Sequence, residues 1–518
     1  MNNYLAITIG PIYKTFQNVR KTRELWAASY IFSFISKRLI EQINALDKSA
    51  ILSPHYDADT PLGIGLFPDR IFLKANNLIT IQIIDSFKNE IYKEVALWFN
   101  DQSAEEFLNG YFRIYSVGYL LDELQNPLIK GNTLLDTAEL RSSWELKEST
   151  NLLLKFLRSV NTIKINDHKW IHGHLAEKDI RGEVRFESMP EISTRAISTN
   201  NTRLYKSLVE KYCYNNDDID GDDGFIKDLQ KGLNQKGGSE IFKNYHKYVC
   251  IVKADGDKVG KYIKAIAADY EKEINALSTA LFNWGIETSQ LVKSYTGIPI
   301  YIGGDDVLFL APVVGTNEKT IVELTTEIND SFVNHFKTLP ERIDEGGKTI
   351  KPTLSFGLSI TYYKFPLFEA LDKADALLHK AKENRNNCTI SLLKHSGSHF
   401  DLSLPNDSTT EIRKSFNEAE KYFTDDKSFI SSIIHHFRQN EEVYRIIGED
   451  ELKVTNFLKN NFDSKKQEKF VECVANLCFN VYEKNQGTIG QDESQKSVDE
   501  IYGLLRILKF LKGQEDGK

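Results

Sequence analysis

Tyr248-Val249-Cys250-Ile251-Val252-Lys253-Ala254-Asp255-Gly256-Asp257 and Ile298-Pro299-Ile300-Tyr301-Ile302-Gly303-Gly304-Asp305-Asp306-Val307-Leu308-Phe309-Leu310 decide how this chain folds. The first is an apolar run ending in Asp-Gly-Asp. The second is a pair of apolar runs joined by Gly-Gly-Asp-Asp. Short apolar runs bounded by turn residues read as buried strands, and glycine between two of them reads as a hairpin. A strand ending in Asp255 beside a hairpin tipped with Asp305 and Asp306 brings three carboxylates to one edge of a sheet. Such an edge suits two divalent cations and a nucleoside triphosphate. The pattern therefore points to a palm-type nucleotidyl transferase or cyclase. Either segment alone is weak evidence, because Gly and Asp are ordinary turn residues. Both together, flanked by strands and separated by one long helix, are hard to obtain by chance.

Outward from this pair, Val259 to Trp284 reads as a helix and Thr353 to Thr361 as a strand. Leu367 to Lys382 reads as a helix that starts after Pro366, with apolar Leu367, Leu371, Ala374, Leu377, Leu378 and Ala381 on one face. Thr389 to Leu393 closes the unit as a strand. This β-α-β-β-α-β order is the split βαβ, ferredoxin-like arrangement.

The same order is expected at the N-terminus. Tyr4 to Ile9 reads as a strand, Tyr13 to Leu46 as a helix, Ile64 to Leu73 and Ile79 to Ile84 as strands, and Asp85 to Phe107 as a helix. The expected class is α+β, with two ferredoxin-like palm domains, the first degenerate and the second active. The expected bounds are 1–115 for the degenerate palm, 116–244 for a helical middle domain, 245–396 for the catalytic palm and 397–518 for a helical C-terminal domain. In the last, helices are expected at Glu411 to Phe423, Phe429 to Phe437, Lys466 to Tyr482 and Ile501 to Leu511, with a polar loop from Asn485 to Val498 and a frayed end from Gly513. The first palm is degenerate on its own residues. It has Gly10-Pro11 where the second has Asp255, and Pro68-Asp69 where the second has Asp305-Asp306.

Composition sets the outer limits. A chain of 518 residues should hold several domains. Hydrophobic content of 41% supports packed cores, and a formal charge of -8 argues against a chain that wraps nucleic acid unaided. The five cysteines, Cys213, Cys250, Cys388, Cys473 and Cys478, include no CxxC pair, so neither a structural zinc site nor a disulfide framework is expected, and a reducing cytoplasm fits. No run of about 18 apolar residues is present, so no membrane partner is expected.

The chemistry of phosphoryl transfer is mainly positioning and charge neutralisation. The expected catalytic residues are Asp255, Asp305 and Asp306. The same three, with the Gly256 carbonyl, are the expected metal ligands, because hard cations take oxygen. Gly256, Asp257, Gly303, Gly304 and Lys382 are the expected nucleotide contacts. The glycines let phosphate approach the backbone. Lys382 either meets the terminal phosphates or is simply a lysine that favours a helix C-terminus.

Three weaker clusters are set aside. Asn216-Asp217-Asp218-Ile219-Asp220-Gly221 imitates an EF-hand start, but its twelfth position is Lys227 instead of Glu. His168, His172 and His174 lack an acidic or Cys partner. His435-His436 reads as packing within a helix.

These residues resemble the large subunit of type III CRISPR effector complexes, the palm-polymerase protein, in its Cmr (type III-B) branch. The resemblance lies in Leu5 to Pro11, Arg20 to Tyr30, Leu66 to Leu73, Phe186 to Thr194, Lys253 to Gly260, Gly303 to Asp306 and Lys394 to Gly397. It implies partnership with other Cmr-type subunits, crRNA and target RNA, with the C-terminal helices meeting the small subunit. It also implies RNA-activated joining of ATP into cyclic oligoadenylates, with two divalent cations, Mg²⁺ or Mn²⁺, as cofactors. One alternative is that the same site joins AMP from ATP to S-adenosylmethionine. Another is a catalytically silent scaffold.

The chain departs from the family pattern in three places. It starts at the first palm and has no adjacent His-Asp pair, so no DNase activity is expected. It lacks the four-Cys zinc site of many relatives. Many cyclase relatives have Gly-Arg or Gly-Lys, then Asn, after the lysine at the end of the second palm's helix. Here the run is Lys382-Glu383-Asn384-Arg385-Asn386, which puts a phosphate role for Arg385 in doubt.

Overall fold

Apolar runs that alternate with turn residues form two separate sheets in the computed structural model. The structure describes residues 2–16, 19–61, 63–99, 101–122, 125–140, 152–159, 186–198, 201–212, 224–235, 241–267, 269–395, 399–423, 427–462, 467–485 and 493–514. The Asn216 to Gly221 segment and His168, His172 and His174 lie outside the described residues.

The first sheet contains β1 (Asn2–Gly10), β2 (Ile51–Ser53), β3 (Arg70–Lys74) and β4 (Arg113–Leu121) in the order β2-β3-β1-β4. Every neighbouring pair is antiparallel. That is the spatial order of a β-α-β-β-α-β unit. Its first helix is Thr22–Leu46, preceded by a short helix at Ile12–Phe16, so the single helix expected from Tyr13 is two. Its second is divided into Ile81–Ala96 and Ala104–Tyr111.

Ile79 to Ile84 is not a strand. Thr80 caps the Ile81–Ala96 helix by accepting from the Ile83 amide at 3.4 Å, and this capping prevails over the alternating isoleucines. The sheet is completed by β4, which runs beyond position 115 to Leu121.

The second sheet contains β5 (Tyr248–Asp257), β6 (Ile298–Gly303), β7 (Asp306–Pro312), β8 (Thr353–Tyr362), β9 (Asn387–Leu393) and β10 (His399–Pro405), in the order β10-β9-β8-β5-β7-β6. Its β6-β7-β5-β8 portion repeats the first sheet strand for strand. The helix between β5 and β6 is Tyr270–Ser294, with a separate short helix at Val259–Lys264. The second helix of the unit is Ile321–Lys337, which the sequence reading left out. A capping box between Thr320 and Glu323 starts it, and Ile321, Val322, Leu324, Ile328, Phe332 and Phe336 are buried along it.

The ferredoxin-like unit therefore closes at β8 and not at Thr389 to Leu393. The Leu367–Asn384 helix is an addition. It carries the chain to β9, parallel to β8, across the sheet face that bears Lys253 and Asp255. β10 extends the sheet past residue 396, into a stretch expected to be helical.

Helices at Glu411–Lys421, Lys427–Gln439, Glu441–Ile447, Glu451–Asn461, Glu468–Asn485 and Glu493–Leu511 follow. The last begins inside the stretch expected to be a loop. His436 packs among Tyr444, Phe457 and Phe462, as a core histidine would.

The two palms meet through the first palm's Thr22–Leu46 helix, which is buried at nearly every residue from Thr22 to Ser36. A helix apolar all round needs neighbours on all sides; here they are its own sheet and the second palm. The loop before β3 adds a short bridge. The Gly65 amide donates to Ile300 O at 3.2 Å, and the Ile302 amide donates to Gly65 O at 2.8 Å. Trp26 Nε1 holds that loop through Gly63 O at 2.9 Å.

Candidate active site

Register and turn geometry bring the acidic segments together. Ala254 of β5 pairs with Val307 of β7, which sets Asp255 beside Asp306 at the sheet edge. Gly303 pairs with Asp306, leaving Gly304 and Asp305 as a two-residue hairpin loop. Only Gly304 of the two has a positive φ, +66°, the pattern of a II′ turn with glycine first. The hairpin tip folds over β5. A Cβ added to Gly256 would lie 2.4 Å from Asp305 Oδ2 and 2.8 Å from Asp305 Cβ, so Asp305 rests directly on the bare backbone of Gly256. The convergence expected of Asp255, Asp305 and Asp306 is present.

Lys382 reaches into the same place. Its Nζ forms an ion pair with Asp255 Oδ2, both side chains about one-third exposed. Lys253, two residues before Asp255 and on the same strand face, pairs with Asp375 Oδ2 at 2.5 Å. The Leu367–Asn384 helix thus lays Asp375 and Lys382, two turns apart on one face, over β5.

Asp257 behaves differently. It is 3% exposed, and its Oδ2 accepts from Ser355 Oγ at 2.8 Å, Thr353 Oγ1 at 3.2 Å and the Asn386 amide at 2.7 Å. The structure gives this carboxylate to the fold and not to the cleft. It ties down the turn in which Arg385 (φ 53°) and Asn386 (φ 46°) both adopt left-handed backbone, a conformation costly for residues other than glycine. Gly303 abuts the ring of Tyr301, and Gly304 opens to free space.

The electrostatics are those of crowded acids. The Asp305 carboxyl is pushed up to about 6, first by burial and then by the Asp255 charge, with Lys382 opposing. Asp306 is reached by solvent from the cleft but walled by protein on its other sides. Its carboxyl is raised well above the usual range by that burial, then by Asp305, Asp255 and Asp69. Carboxylates arranged this way bind cations readily, because a cation removes their mutual repulsion. Among the described residues no three His, Cys, Asp or Glu side chains already stand in ion-holding geometry; Asp255 is paired with Lys382. The donor set of all-oxygen carboxylates plus a backbone carbonyl fits a hard divalent cation.

Sequence reasoning missed four participants. Tyr301 lies among the acids, its phenol raised by burial and by Asp69, Asp306 and Asp305. Lys253 and Asp375 form the ion pair described above. Asp69, from the first palm, lines a cavity of about 250 Å³ together with Phe32, Ser33, Tyr301, Asp306 and Asp375. Lys253, Tyr301 and Asp69 lie in stretches singled out above, but nothing there marks them as site residues, and Asp375 carries no signal at all. The docking of the first palm on the second brings Asp69 to the others.

A strand-end acid, an acid-tipped hairpin and a crossing lysine, carried by one of two matched palms, define a two-palm protein of the nucleotidyl-transferase class of folds. The comparisons agree. Residues 248–389 match the family described as Cas10/Cmr2, second palm domain, and residues 4–99 match CRISPR-associated protein Cmr2, N-terminal. Both palms of the chain are thus similar to those of the Cas10/Cmr2 large subunit of type III CRISPR systems, the first to its Cmr2 form.

The CRISPR system Cmr subunit Cmr2 of Pyrococcus furiosus is 28% identical over 300 residues, covering 52% of this chain and 32% of that protein. The match thus spans about a third of that relative's length. A type III-B Cmr-beta structure bound to cognate target RNA aligns with TM-score 0.58 at 12% identity, over 99% of this chain and 83% of that one. A Csm1-Csm4 cassette in complex with one ATP aligns with TM-score 0.54 at 12% identity, over 99% and 70%. At such identities the likeness is one of fold. Among the described residues no helix is long and apolar enough to cross a membrane.

Proposed function

We propose that this chain is the target-RNA-activated cyclase subunit of a crRNA-guided type III-B complex, and that it joins ATP into cyclic oligoadenylates. The observation that carries this reading is the seating of Asp305 on Gly256 beside Asp255 and Lys382, on the second palm alone. Its choice of substrate is supported by structural neighbours of the same fold, which hold ATP in one case and cA4 in another.

In the reaction, a ribose 3′-oxygen of one ATP bonds to the α-phosphorus of the next. Pyrophosphate leaves, and the hydroxyl proton passes to water on the open side of Asp306. Two divalent cations held by Asp255, Asp305, Asp306 and the Gly256 carbonyl would neutralise the phosphates and orient both oxygens. The chain's own residues do the rest. Lys382, freed from Asp255, meets phosphate charge. Gly304 leaves open space for phosphate at the hairpin. Asp257 holds the turn after the Leu367–Asn384 helix, which fixes where Lys382 starts. The partners of the reading are other Cmr-type subunits, crRNA and target RNA.

The test is the Asp305→Ala/Asp306→Ala double variant in the assembled complex, given ATP, Mg²⁺ and cognate RNA. Product should fall by ~10³-fold or more, in line with the loss of preorganised charge stabilisation, while assembly is unchanged. Cyclic product at the native rate would overturn the assignment.

A further inference from the structure

The turn that ends the Leu367–Asn384 helix holds strain. Arg385 (φ 53°, ψ 161°) and Asn386 (φ 46°) take left-handed backbone, and Asn386 Oδ1 is buried without a hydrogen-bond partner among the described residues. Such a turn persists only where its neighbours fix it from several sides. The Arg385 backbone N–H donates to Ala381 O at 2.9 Å, which joins the strained residues to the helical turn that carries Lys382.

One residue from beyond the sheet closes this arrangement. β9 joins β8 from Phe356 onward, opposite Cys388. Just before that point, asparagine side chains take the place of a strand. The Leu354 backbone N–H donates to Asn329 Oδ1 at 3.0 Å, and Asn406 Nδ2 donates to Leu354 O at 2.7 Å. Asn406 follows Pro405, the last residue of β10, and continues the pairing of β10 with β9 by one step: its backbone N–H donates to Asn386 O at 3.0 Å. Asn406 is thus bonded on one side to the strained turn and on the other to β8. Asp257 completes the circuit. Its Oδ2 takes the Asn386 backbone N–H together with Ser355 and Thr353, the two neighbours of Leu354. Asn406 is 1% exposed, and a buried carbonyl that loses its donor stays unpaired.

We propose that Asn406 is a positioning residue for Lys382. It fixes Asn386 through the carbonyl, as Asp257 does through the N–H, so the helix ends where Lys382 Nζ meets Asp255. Without the side-chain N–H the circuit opens at Leu354, the turn relaxes from its left-handed backbone, and the Lys382 ammonium moves off the acidic edge. Asn406 is also the first residue on the way from the second palm's sheet to the Glu411–Lys421 helix, so the C-terminal helices and the cleft share this anchor. The inference rests on the role proposed above for Lys382 at the phosphates.

The experiment is a double-variant cycle in the assembled complex, given ATP, Mg²⁺ and cognate RNA: wild type, Asn406→Asp, Lys382→Gln and the two combined. Asn406→Asp keeps the size of the side chain but has no N–H for Leu354 O. It should lower kcat/KM by ~10-fold in the wild-type background. In the Lys382→Gln background it should cost less than about twofold, because no ammonium is left to place. A purely structural role would cost the same in both. A ~10-fold loss in both backgrounds would overturn the proposal, as would a loss under about twofold in the first. If Asn406→Asp does not fold, Asn406→Ala, which sets no charge against that carbonyl, makes the same comparison. If wild type forms no product, binding to the full chain carries the test. The Asn406 variant should then weaken AMPPNP by ~10-fold and AMP, which lacks the terminal phosphates, by less than about twofold. That result keeps the role of Asn406 and drops the transfer reading; equal weakening of both nucleotides, or of neither, drops the role as well. Product from wild type, with losses that multiply, keeps the transfer reading and drops the role of Asn406.

Discussion

The two palms have the same strand order, β2-β3-β1-β4 in one and β6-β7-β5-β8 in the other, and differ in what their turns carry. In the second, the end of β5 is Asp-Gly-Asp and the hairpin is Gly-Gly-Asp-Asp. In the first, the same places hold Gly10-Pro11 and Pro68-Asp69. Topology fixes where chemistry can occur, and a handful of turn residues decides whether it does. The first palm is nevertheless no bystander. Its Thr22–Leu46 helix and the turn carrying Phe67 and Asp69 wall the second palm's cleft, and the Gly65 bridge ties the loop before that turn to β6. One scaffold, used twice, supplies the acidic edge in one copy and the enclosing wall in the other.

The sharpest way to break this contrast is to remove an acid from the acidic edge and disturb the matching turn of the other palm. Asp255→Ala should cut turnover by ~10³-fold and free Lys382. Pro68→Ala, at the corresponding first-palm turn, should leave turnover within about threefold, because the Pro68 carbonyl that Ser36 holds is retained. Initial rates of product formation on the two variants check both halves. Comparable losses would mean that the palms share the chemistry more evenly than their turns imply.

A glycine pair sharpens the contrast further. A methyl group on Gly256 must displace Asp305, whose Oδ2 would be 2.4 Å away. Gly256→Ala should therefore cost ~1–3 kcal/mol through overpacking and reduce turnover by ~10²-fold. Gly10, at the equivalent strand end of the first palm, has nothing within 4 Å of an added Cβ. Gly10→Ala should change stability by less than ~0.5 kcal/mol. Denaturant unfolding of the two variants measures the difference.

The acidic edge was legible because the chemistry proposed for it restricts residue choice. Cations need carboxylates, close phosphates need glycine, and both must sit at strand ends, so Asp255, Asp305 and Asp306 stand out without a structure. What stayed hidden was decided by tertiary context. Ile79 to Ile84 alternates like a strand, but one capping threonine makes it a helix start. The Ile321–Lys337 helix was passed over because the strand-helix-strand run after residue 353 already filled the pattern. Asp257 looks like an active-site acid, and only the approach of Ser355, Thr353 and Asn386 shows that the fold consumes it. Asp69 and Tyr301 gain meaning only when one palm docks on the other. No periodicity within either segment records that contact.

The smallest effect concerns what the acidic tip costs the second palm, a cost that its counterpart avoids by having Pro68 where Asp305 would stand. Asp305 titrates near 6 in the folded chain against an ordinary aspartate value of 3.8. The native state thus binds its proton more tightly than the unfolded state does. The stability tied to that proton is complete below about pH 3.8 and is lost as pH rises through about 6. The full displacement corresponds to ~3 kcal/mol, and solvent reaching the half-buried cleft reduces this to ~1–2 kcal/mol. Asp305→Asn, which cannot ionise, should therefore be more stable than wild type by ~1–2 kcal/mol at pH 8. The gain should shrink toward zero near pH 4. Urea unfolding across that range reads it directly. A stability difference that is flat with pH would show that Asp305 is not held against its charge, and that the hairpin tip rests as easily as the proline turn of the first palm.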